Sequence, residues 1–157
     1  MDPPKVPEKL ALTQTGGLES KLILKVGAPI IITSNHHQAK FKEDGLVNGA
    51  RGYVDSIQVC KENPAEVEVV WVVFKDKSIG KRLKFDQKQL LKKHTPNQQD
   101  AIQILKVKRQ FTINRGEIRF QRYQFPLTLG YAVTAYKCQG DTLEKVIIDF
   151  AQEPGET

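Results

Sequence analysis

Apolar residues in this chain are grouped in short runs with the length and composition of β-strands, separated by turns containing Gly, Pro or Asn. Residues 66–74 give the strongest strand prediction, because β-branched and aromatic side chains dominate that run. Val67, Val69, Trp71 and Val73 are predicted to share one face, with Trp71 in the core rather than stacking on bases. Further strands are predicted at residues 21–26, 29–33, 53–59, 81–85, 105–113 and 117–124.

The pattern changes to helical spacing after Pro126, which cannot donate to a sheet ladder and closes the strand before it. The predicted helix has Thr128 as its N-cap and Gly140 as its stop. Its apolar stripe consists of Leu129, Ala132, Val133 and Tyr136. Residues 145–150 then predict a strand buried on both faces. This order of elements would place residues 137–140 at a sheet edge, where α/β domains bind phosphates.

The order of the strands predicts the fold class. Short, turn-separated strands from about residue 51 to residue 124 are typical of a small antiparallel barrel or curled sheet. They lie between two apolar segments, residues 29–33 and 145–150, that read as strands of a parallel sheet. The pattern by itself therefore predicts an α/β domain with a small β module inserted into it.

Composition limits the class of protein without naming it. A chain of 157 residues with 39% hydrophobic and 27% charged residues is an ordinary globular protein of one or two domains. No apolar run approaches the roughly 20 residues that span a bilayer, so no membrane partner is expected. His36 and His37 lack a third ligand at zinc spacing, and no metal site is predicted.

The two cysteines, Cys60 and Cys138, lie far apart in the sequence and indicate neither a disulfide framework nor a Cys-x-x-Cys metal site. A reducing, intracellular compartment is therefore expected. That compartment would be the nucleus or mitochondrion in a eukaryote and the cytoplasm otherwise.

Positive charge is concentrated in the middle of the chain. Residues 75–125 contain 14 Lys and Arg against 4 Asp and Glu, whereas the remainder contains 10 against 14. Such a basic stretch favours a surface for a polyanion, although a solvated charged face has the same composition. Local charge density makes Lys106, Lys108 and Arg109 the candidate DNA-binding residues of this stretch.

The turn at residues 46–52 contains two glycines three positions apart, Gly49 and Gly52, which demand an unusual backbone or a close approach. One interpretation is a plain turn with Asn48 and Gly49 at its corner. The functional interpretation adds that Asn48 or Arg51 approaches nucleic acid.

Two stretches carry a resemblance to a known family. Thr134, Lys137, Gln139 and Gly140 match the fifth motif of superfamily 1 DNA helicases of the Pif/RecD type, whose core is Thr-hydrophobic-His-Lys-Ser-Gln-Gly. Tyr136 replaces the His and Cys138 the Ser. Upstream, residues 25–33 and the turn at residues 45–52 are similar to the family's strand and "LVNG-small-x-G" turn, and residues 13–18 resemble the lead-in to that strand.

The resemblance implies a fold and a set of roles. It implies a partial RecA-like parallel sheet at residues 21–50 and 125–157, an SH3-like β-barrel insert at residues 51–124, and an extended lead-in at residues 1–20. Thr134 and Lys137 would contact DNA phosphate. Tyr136 would bond phosphate, stack on a base or pack in the core. Gln139 and Gly140 would lie near the terminal phosphate of ATP.

Several motor parts are missing from the sequence. It has no phosphate loop G-x-x-x-x-G-K-[ST], no Mg²⁺-holding Asp-Glu pair after an apolar strand, and it ends before a sixth motif is expected. The chain alone is therefore expected not to hydrolyse ATP. The complete parent enzyme would use ATP and Mg²⁺, and the implied partners are single-stranded DNA and the N-terminal motor domain. The alternatives are a non-enzymatic β-barrel module that binds protein or nucleic acid, and a free-standing RNA-binding domain.

Overall fold

The computed structural model describes residues 12–34, 43–83, 100–113, 118–134, 138 and 145–148. These ranges form a small, mostly antiparallel β domain with few helical residues. A 3₁₀ helix spans Leu12–Thr15, and residues 81–83 form one helical turn. The strands are β1 (Pro29–Ile32), β2 (Arg51–Val59), β3 (Val67–Phe74), β4 (Ile102–Ile104), β5 (Val107–Ile113), β6 (Ile118–Gln124) and β7 (Leu127–Leu129).

Five strands form one sheet in the order β4-β3-β2-β1-β7, and every pairing in it is antiparallel. Strands β5 and β6 form a separate two-stranded sheet. Only residues 105–106 separate β4 from β5, and only residues 125–126 separate β6 from β7. The β5–β6 hairpin therefore connects the two edge strands of the larger sheet.

The larger sheet is covered by apolar side chains on both faces. The main core includes Ile30 and Ile32 of β1, Val70 and Val72 of β3, and residues of β2, β4 and β7. A second cluster packs on the opposite face of β3, and it contains Val69, Trp71, Val73 and Ala101. Strands β1 and β3 have continuous apolar runs because both of their faces are removed from water.

Trp71 is 3% exposed, which confirms its interpretation as a core residue. Val69 and Val73 share its face as predicted, but Val67 packs against the main core on the other side. The β2–β3 ladder changes register between Gln58 and Val59, opposite the start of β3. A register shift of one residue turns side chains to the other face, so the simple alternation fails at Val67.

The parallel sheet is not observed among the described residues. Strand β1 was assigned to it, and it pairs antiparallel with both β2 and β7. The predicted strand at residues 145–150 is wrong for its described part, since Val146, Ile147 and Ile148 are exposed and adopt no strand. An apolar run predicts burial on two faces, but it does not determine the direction of neighbouring strands.

The predicted helix after Pro126 is also wrong over residues 127–134. Leu127–Leu129 forms β7, whose register pairs Ile30 with Leu129 and Ile32 with Leu127. The Gly130 N–H extends this contact by donating to the Pro29 carbonyl at 2.8 Å. Residues 130–134 contain no helix. Sheet pairing to a buried strand outweighs a weak helical periodicity, as tertiary context commonly does.

Local hydrogen bonds explain a third difference. Residues 81–83 were predicted as part of a strand, but they form a helical turn. Asp44 caps this turn from a distant part of the chain, accepting the Arg82 N–H at 3.1 Å and the Leu83 N–H at 2.9 Å. The Gly80 N–H donates to the Asp44 carbonyl at 2.8 Å. A carboxylate that accepts two such N–H groups favours a helix start.

The segment before β1, predicted as an extended lead-in, is partly ordered by side-chain contacts. Thr15 is fully buried, and its hydroxyl donates to the Leu18 carbonyl at 2.8 Å. The Thr33 hydroxyl donates to the Gly17 carbonyl. Residues 22–25, predicted as a strand, adopt no regular structure. The lead-in is therefore attached to the end of β1 without joining the sheet.

Candidate nucleic-acid interface

The turn that leads into β2 holds Asn48 at the protein surface. The Gly49 N–H donates to the Ile32 carbonyl at 2.8 Å, and the Ile32 N–H donates to the Ala50 carbonyl at 2.9 Å. Gly49 has a φ of +94°, which L side chains rarely adopt. Asn48 is exposed. The turn prediction is thus confirmed, and its backbone is fixed to the end of β1.

Arg51 begins β2 directly after this turn and is half-buried. Its Nη2 donates to the Sγ of Cys138 at 3.6 Å, although the two residues are 87 positions apart. Cys138 lies between Lys137 and Gln139 in the stretch that resembles the fifth helicase motif. The contact therefore places Cys138 beside Arg51 at the start of β2. A thiol is a weak acceptor, so this hydrogen bond contributes little to stability. Its value is that it shows which two segments lie next to each other.

Of the residues that match the fifth helicase motif, Thr134 is described in the structure and the others are not. Thr134 is exposed and lies in a segment without regular structure, rather than on the predicted helix. Tyr136, Lys137, Gln139 and Gly140 lie outside the described residues. Their predicted contacts with DNA and nucleotide stay predictions.

Lys106 occupies a different environment from the one that charge density suggested. Its ammonium forms a salt bridge to Glu66 at 2.9 Å, and its side chain is only 17% exposed. The same Nζ lies 5.6 Å from the centre of the Tyr123 ring and 5.7 Å from that of Phe125. A cation held by a carboxylate and two rings mainly stabilises the base of the hairpin, so Lys106 is a weaker DNA candidate than an open lysine.

Lys108 and Arg109 point to opposite sides of β5. Lys108 is exposed, whereas Arg109 is half-buried and lies against the lead-in turn at Gly16. Successive side chains of a strand face opposite sides, so a basic pair cannot serve one surface. Of the three residues chosen for charge density, Lys108 is the one on the open side.

Arg122 is a residue whose role the sequence did not indicate. Its Nη1 donates to the Leu18 carbonyl at 2.6 Å, and its guanidinium lies 5.4 Å from the centre of the Phe111 ring. Nearby, the Thr128 hydroxyl donates to Glu19 at 2.9 Å. Arg122 therefore ties the lead-in to the hairpin. The alternation of residues 118–124 gave a signal that it faces inward, since it shares the face of Phe120.

We expect Arg122→Met to lower the free energy of unfolding by about 1 to 2 kcal/mol, because the charge-assisted bond to the Leu18 carbonyl is lost while the apolar stem remains. Urea denaturation followed by circular dichroism measures this change. Arg119→Met is the matched control, since Arg119 lies on the same strand but is exposed. Equal stability of the two variants would show that the lead-in is not held by Arg122.

Metal-ligand clusters and long apolar helices are both absent from the described residues. Within the described ranges, no group of three or more His, Cys, Asp or Glu side chains could hold a metal ion. His36 and His37 lie outside those ranges. None of the helices seen in the described residues is long and apolar enough to cross a membrane.

Comparison with known proteins supports the resemblance. The chain is 32% identical over 152 residues to an ATP-dependent DNA helicase Pif1 of Bdellovibrio bacteriovorus, a match that covers 92% of the chain and 26% of that relative. It is 28% identical over 131 residues to an ATP-dependent DNA helicase PIF1 of Danio rerio, covering 83% of the chain and 16% of that protein. No family model matches the chain, and no solved structure matches it significantly.

The chain is therefore related to the superfamily 1 DNA helicases. Both relatives are Pif1 helicases. The resemblance of the chain to the C-terminal portion of Pif1-type helicases is confirmed. The chain spans about a quarter of the length of the bacterial relative and less than a fifth of that of the fish relative.

Proposed function

We propose that this chain is a helicase-derived module that contributes contacts to single-stranded DNA and part of the segment that couples DNA binding to ATP. The relatives are named as ATP-dependent DNA helicases, which supports the class of substrate. The observation that carries the proposal is the contact between Arg51 and Cys138. It places one residue of each helicase-like stretch next to the other, which supports a shared surface.

The chemistry of this surface suits a DNA backbone. Arg51 offers a guanidinium with several donors, and the exposed Asn48 offers an amide beside it. Thr134 adds an exposed hydroxyl on the side of the later motif. In the proposal Lys137 and Tyr136 extend this surface, and Gln139 and Gly140 approach the terminal phosphate of ATP. Most protein contacts to DNA are made to phosphate and sugar by donors of these kinds.

The finer architecture is also part of the proposal. Strands β2, β3 and β4 and the β5–β6 hairpin all lie within residues 51–124, which supports an inserted SH3-like module there. In the proposed arrangement, residues 21–50 and 125–157 belong to a RecA-like domain that is completed by other parts of a longer protein. In the structure, β1 and β7 of the proposed RecA-like segments lie in the same sheet as β2 of the proposed insert. ATP, Mg²⁺ and the N-terminal motor domain are then requirements of the complete motor.

The test uses Arg51→Ala and the anisotropy of a fluorescent oligothymidine. We expect the affinity to fall about five- to tenfold, because a donor to phosphate is lost, and Arg51→Lys to recover part of it. Lys61→Ala is the matched control, since this exposed cation follows the other end of β2. An Arg51→Ala affinity equal to that of the control would contradict the proposed surface.

A second measurement needs no substitution. Cys60 and Cys138 are both half-buried free thiols, and Cys60 follows the end of β2 opposite to Arg51. Bound oligothymidine should slow alkylation of Cys138 by a maleimide and leave the rate at Cys60 unchanged. Mass spectrometry of the two peptides gives both rates in one sample. Equal rates at Cys138 with and without saturating DNA would argue for the alternative, a β module whose binding surface lies elsewhere.

A further inference from the structure

The β5–β6 hairpin has two chemically different faces. Its inner face carries Val107, Phe111 and Phe120, each less than 10% exposed, and the Phe111 and Phe120 rings stack with centroids 5.8 Å apart. Arg122 covers the Phe111 ring from the same side. The inner face is therefore closed to solvent, and the lead-in lies against it through the contacts of Arg109 with Gly16 and of Arg122 with Leu18.

The outer face, which we call the hairpin face, is formed by the alternate positions. They are the cross-strand pairs Lys108 with Tyr123, Gln110 with Gln121, and Thr112 with Arg119. All six side chains are exposed. The face offers two cations, two amides, a hydroxyl and a phenol ring, and it contains no acidic residue. A mixture of cations, amides and an aromatic ring is the set that binds nucleic acid.

Tyr123 is the most informative member of this face. Its side chain is 65% exposed, although it lies on a strand whose inner neighbours are well packed. The ammonium of Lys106 lies 5.6 Å from the centre of the ring and is itself held by Glu66. The fixed cation thus lies over the ring, and most of the Tyr123 surface is still exposed. An exposed ring of this kind can stack on an unpaired base, whatever the base sequence.

The dimensions of the face fit a strand of nucleic acid. Neighbouring positions on one face of a β-strand are about 7 Å apart, so three pairs extend over about 13 Å. Lys108 lies at one end beside Tyr123, and Arg119 lies near the other end. Cations at both ends can neutralise phosphates of one continuous backbone while the ring stacks on a base between or beside them.

We propose that the hairpin face is a second contact surface for single-stranded DNA, with Tyr123 as its stacking platform and Lys108 and Arg119 as its phosphate contacts. The choice of DNA rests on the proposed function. The choice of a single strand rests on Tyr123, because a base inside a duplex does not offer its face for stacking. A two-stranded β-ribbon can also enter the major groove of duplex DNA, and the experiment separates the two.

The first arm of the test measures Tyr123→Ala and Tyr123→Phe by anisotropy with labelled oligothymidine. We expect Tyr123→Ala to weaken binding about tenfold and Tyr123→Phe to stay within about twofold of the unmodified chain, because stacking needs the ring and not the hydroxyl. A Tyr123→Ala affinity within twofold of the unmodified chain overturns the proposal. Tighter binding of duplex than of oligothymidine, lost equally in Tyr123→Ala, also overturns the single-strand assignment.

The second arm measures the salt dependence of binding. The double variant Lys108→Gln with Arg119→Gln should reduce the slope of log affinity against log salt by about 1 to 2, since each phosphate contact releases a counterion. The matched control is Lys25→Gln with Lys61→Gln, which removes the same charge from exposed positions elsewhere. An equal change of slope in the control would show diffuse attraction and no hairpin site.

The third arm uses the unmodified chain, so its result does not depend on whether a variant folds. Irradiation of the unmodified chain with an oligonucleotide containing 5-bromouracil should crosslink the peptide that contains Tyr123, and mass spectrometry identifies it. Crosslinks confined to other peptides overturn the proposal. The result is separable from the proposed function, because saturating DNA should still protect Cys138 in Tyr123→Ala. If DNA crosslinks to the Tyr123 peptide of the unmodified chain but does not slow alkylation of Cys138, the hairpin site is supported and the surface at Arg51 and Cys138 is contradicted.

Discussion

Trp71→Ala should lower the free energy of unfolding by about 3 to 5 kcal/mol, the largest loss expected for a single side chain here. Trp71 is 3% exposed and lies in the middle of β3, with Val69, Val73 and Ala101 in its cluster and Tyr53 packed against it. Removal of the indole deletes this packing and leaves a cavity that a sheet held by neighbours on both sides cannot close. Guanidinium denaturation followed by circular dichroism measures the loss.

Trp71→Phe is the control for that result. It keeps a ring in the same position, so its loss should be clearly smaller than that of Trp71→Ala. A loss below about 1 kcal/mol in Trp71→Ala would mean that the second cluster contributes little to stability.

The unmodified chain also tests whether Trp71 has a role in binding. It is the single Trp of the sequence, so the intrinsic emission reports on this position. A buried indole should show a blue-shifted maximum that oligothymidine does not quench. Quenching by DNA in proportion to binding would instead indicate a base-stacking role and contradict the prediction of a core residue.

Strand content was predictable where composition acts locally. The β-branched run of β3 and the alternation of β5 and β6 favour strands from their local composition, and strands form there. Strands β5 and β6, both predicted as strands, pair with each other as a hairpin in which Val107 lies opposite Gln124. The partners of β1 were not predictable in this way. Its run Pro29–Ile32 required two covered faces, and either strand direction meets that requirement.

The helix predicted after Pro126 failed for a related reason. Leu129 and Val133 have helical spacing, but Leu127 and Leu129 also alternate with Thr128, so the segment carries both patterns. Hydrogen bonds to the buried strand β1 decide between them, and β1 is about 100 residues away in the sequence. A pairing between such distant segments lies outside what a local pattern contains.

The candidate interface shows the same division. Asn48 and Arg51 were chosen from a glycine turn, and that turn is formed as expected. Lys106, Lys108 and Arg109 were chosen from charge density, which ignores the direction of each side chain. Strand alternation already separates Lys108 from Arg109, but the salt bridge of Lys106 depends on Glu66, 40 positions earlier. Counting charge finds a basic region, and the fold decides which cations remain open.

Gly52→Ala should destabilise the chain by about 3 kcal/mol, because the added Cβ has no space. An ideal Cβ at this position would lie 2.5 Å from the Val73 carbonyl oxygen and 2.9 Å from Val72 Cγ1. Gly52 pairs with Phe74 inside the β2–β3 ladder. The contact is made by backbone of a paired strand, so relief requires the two central strands to separate. The final Gly of the helicase-like turn therefore has a structural role.

Gly49→Ala is the matched control for Gly52→Ala, since it adds the same methyl group three residues earlier. Apart from its chain neighbours, no atom of the described residues lies within 4 Å of an ideal Cβ at Gly49, so the cost comes from the φ of +94°. That strain should amount to about 1 to 2 kcal/mol. Urea denaturation of both variants should thus rank Gly52→Ala as the more damaging. The reverse order would show that the β2–β3 ladder adjusts to a side chain and that the turn backbone is the stricter constraint.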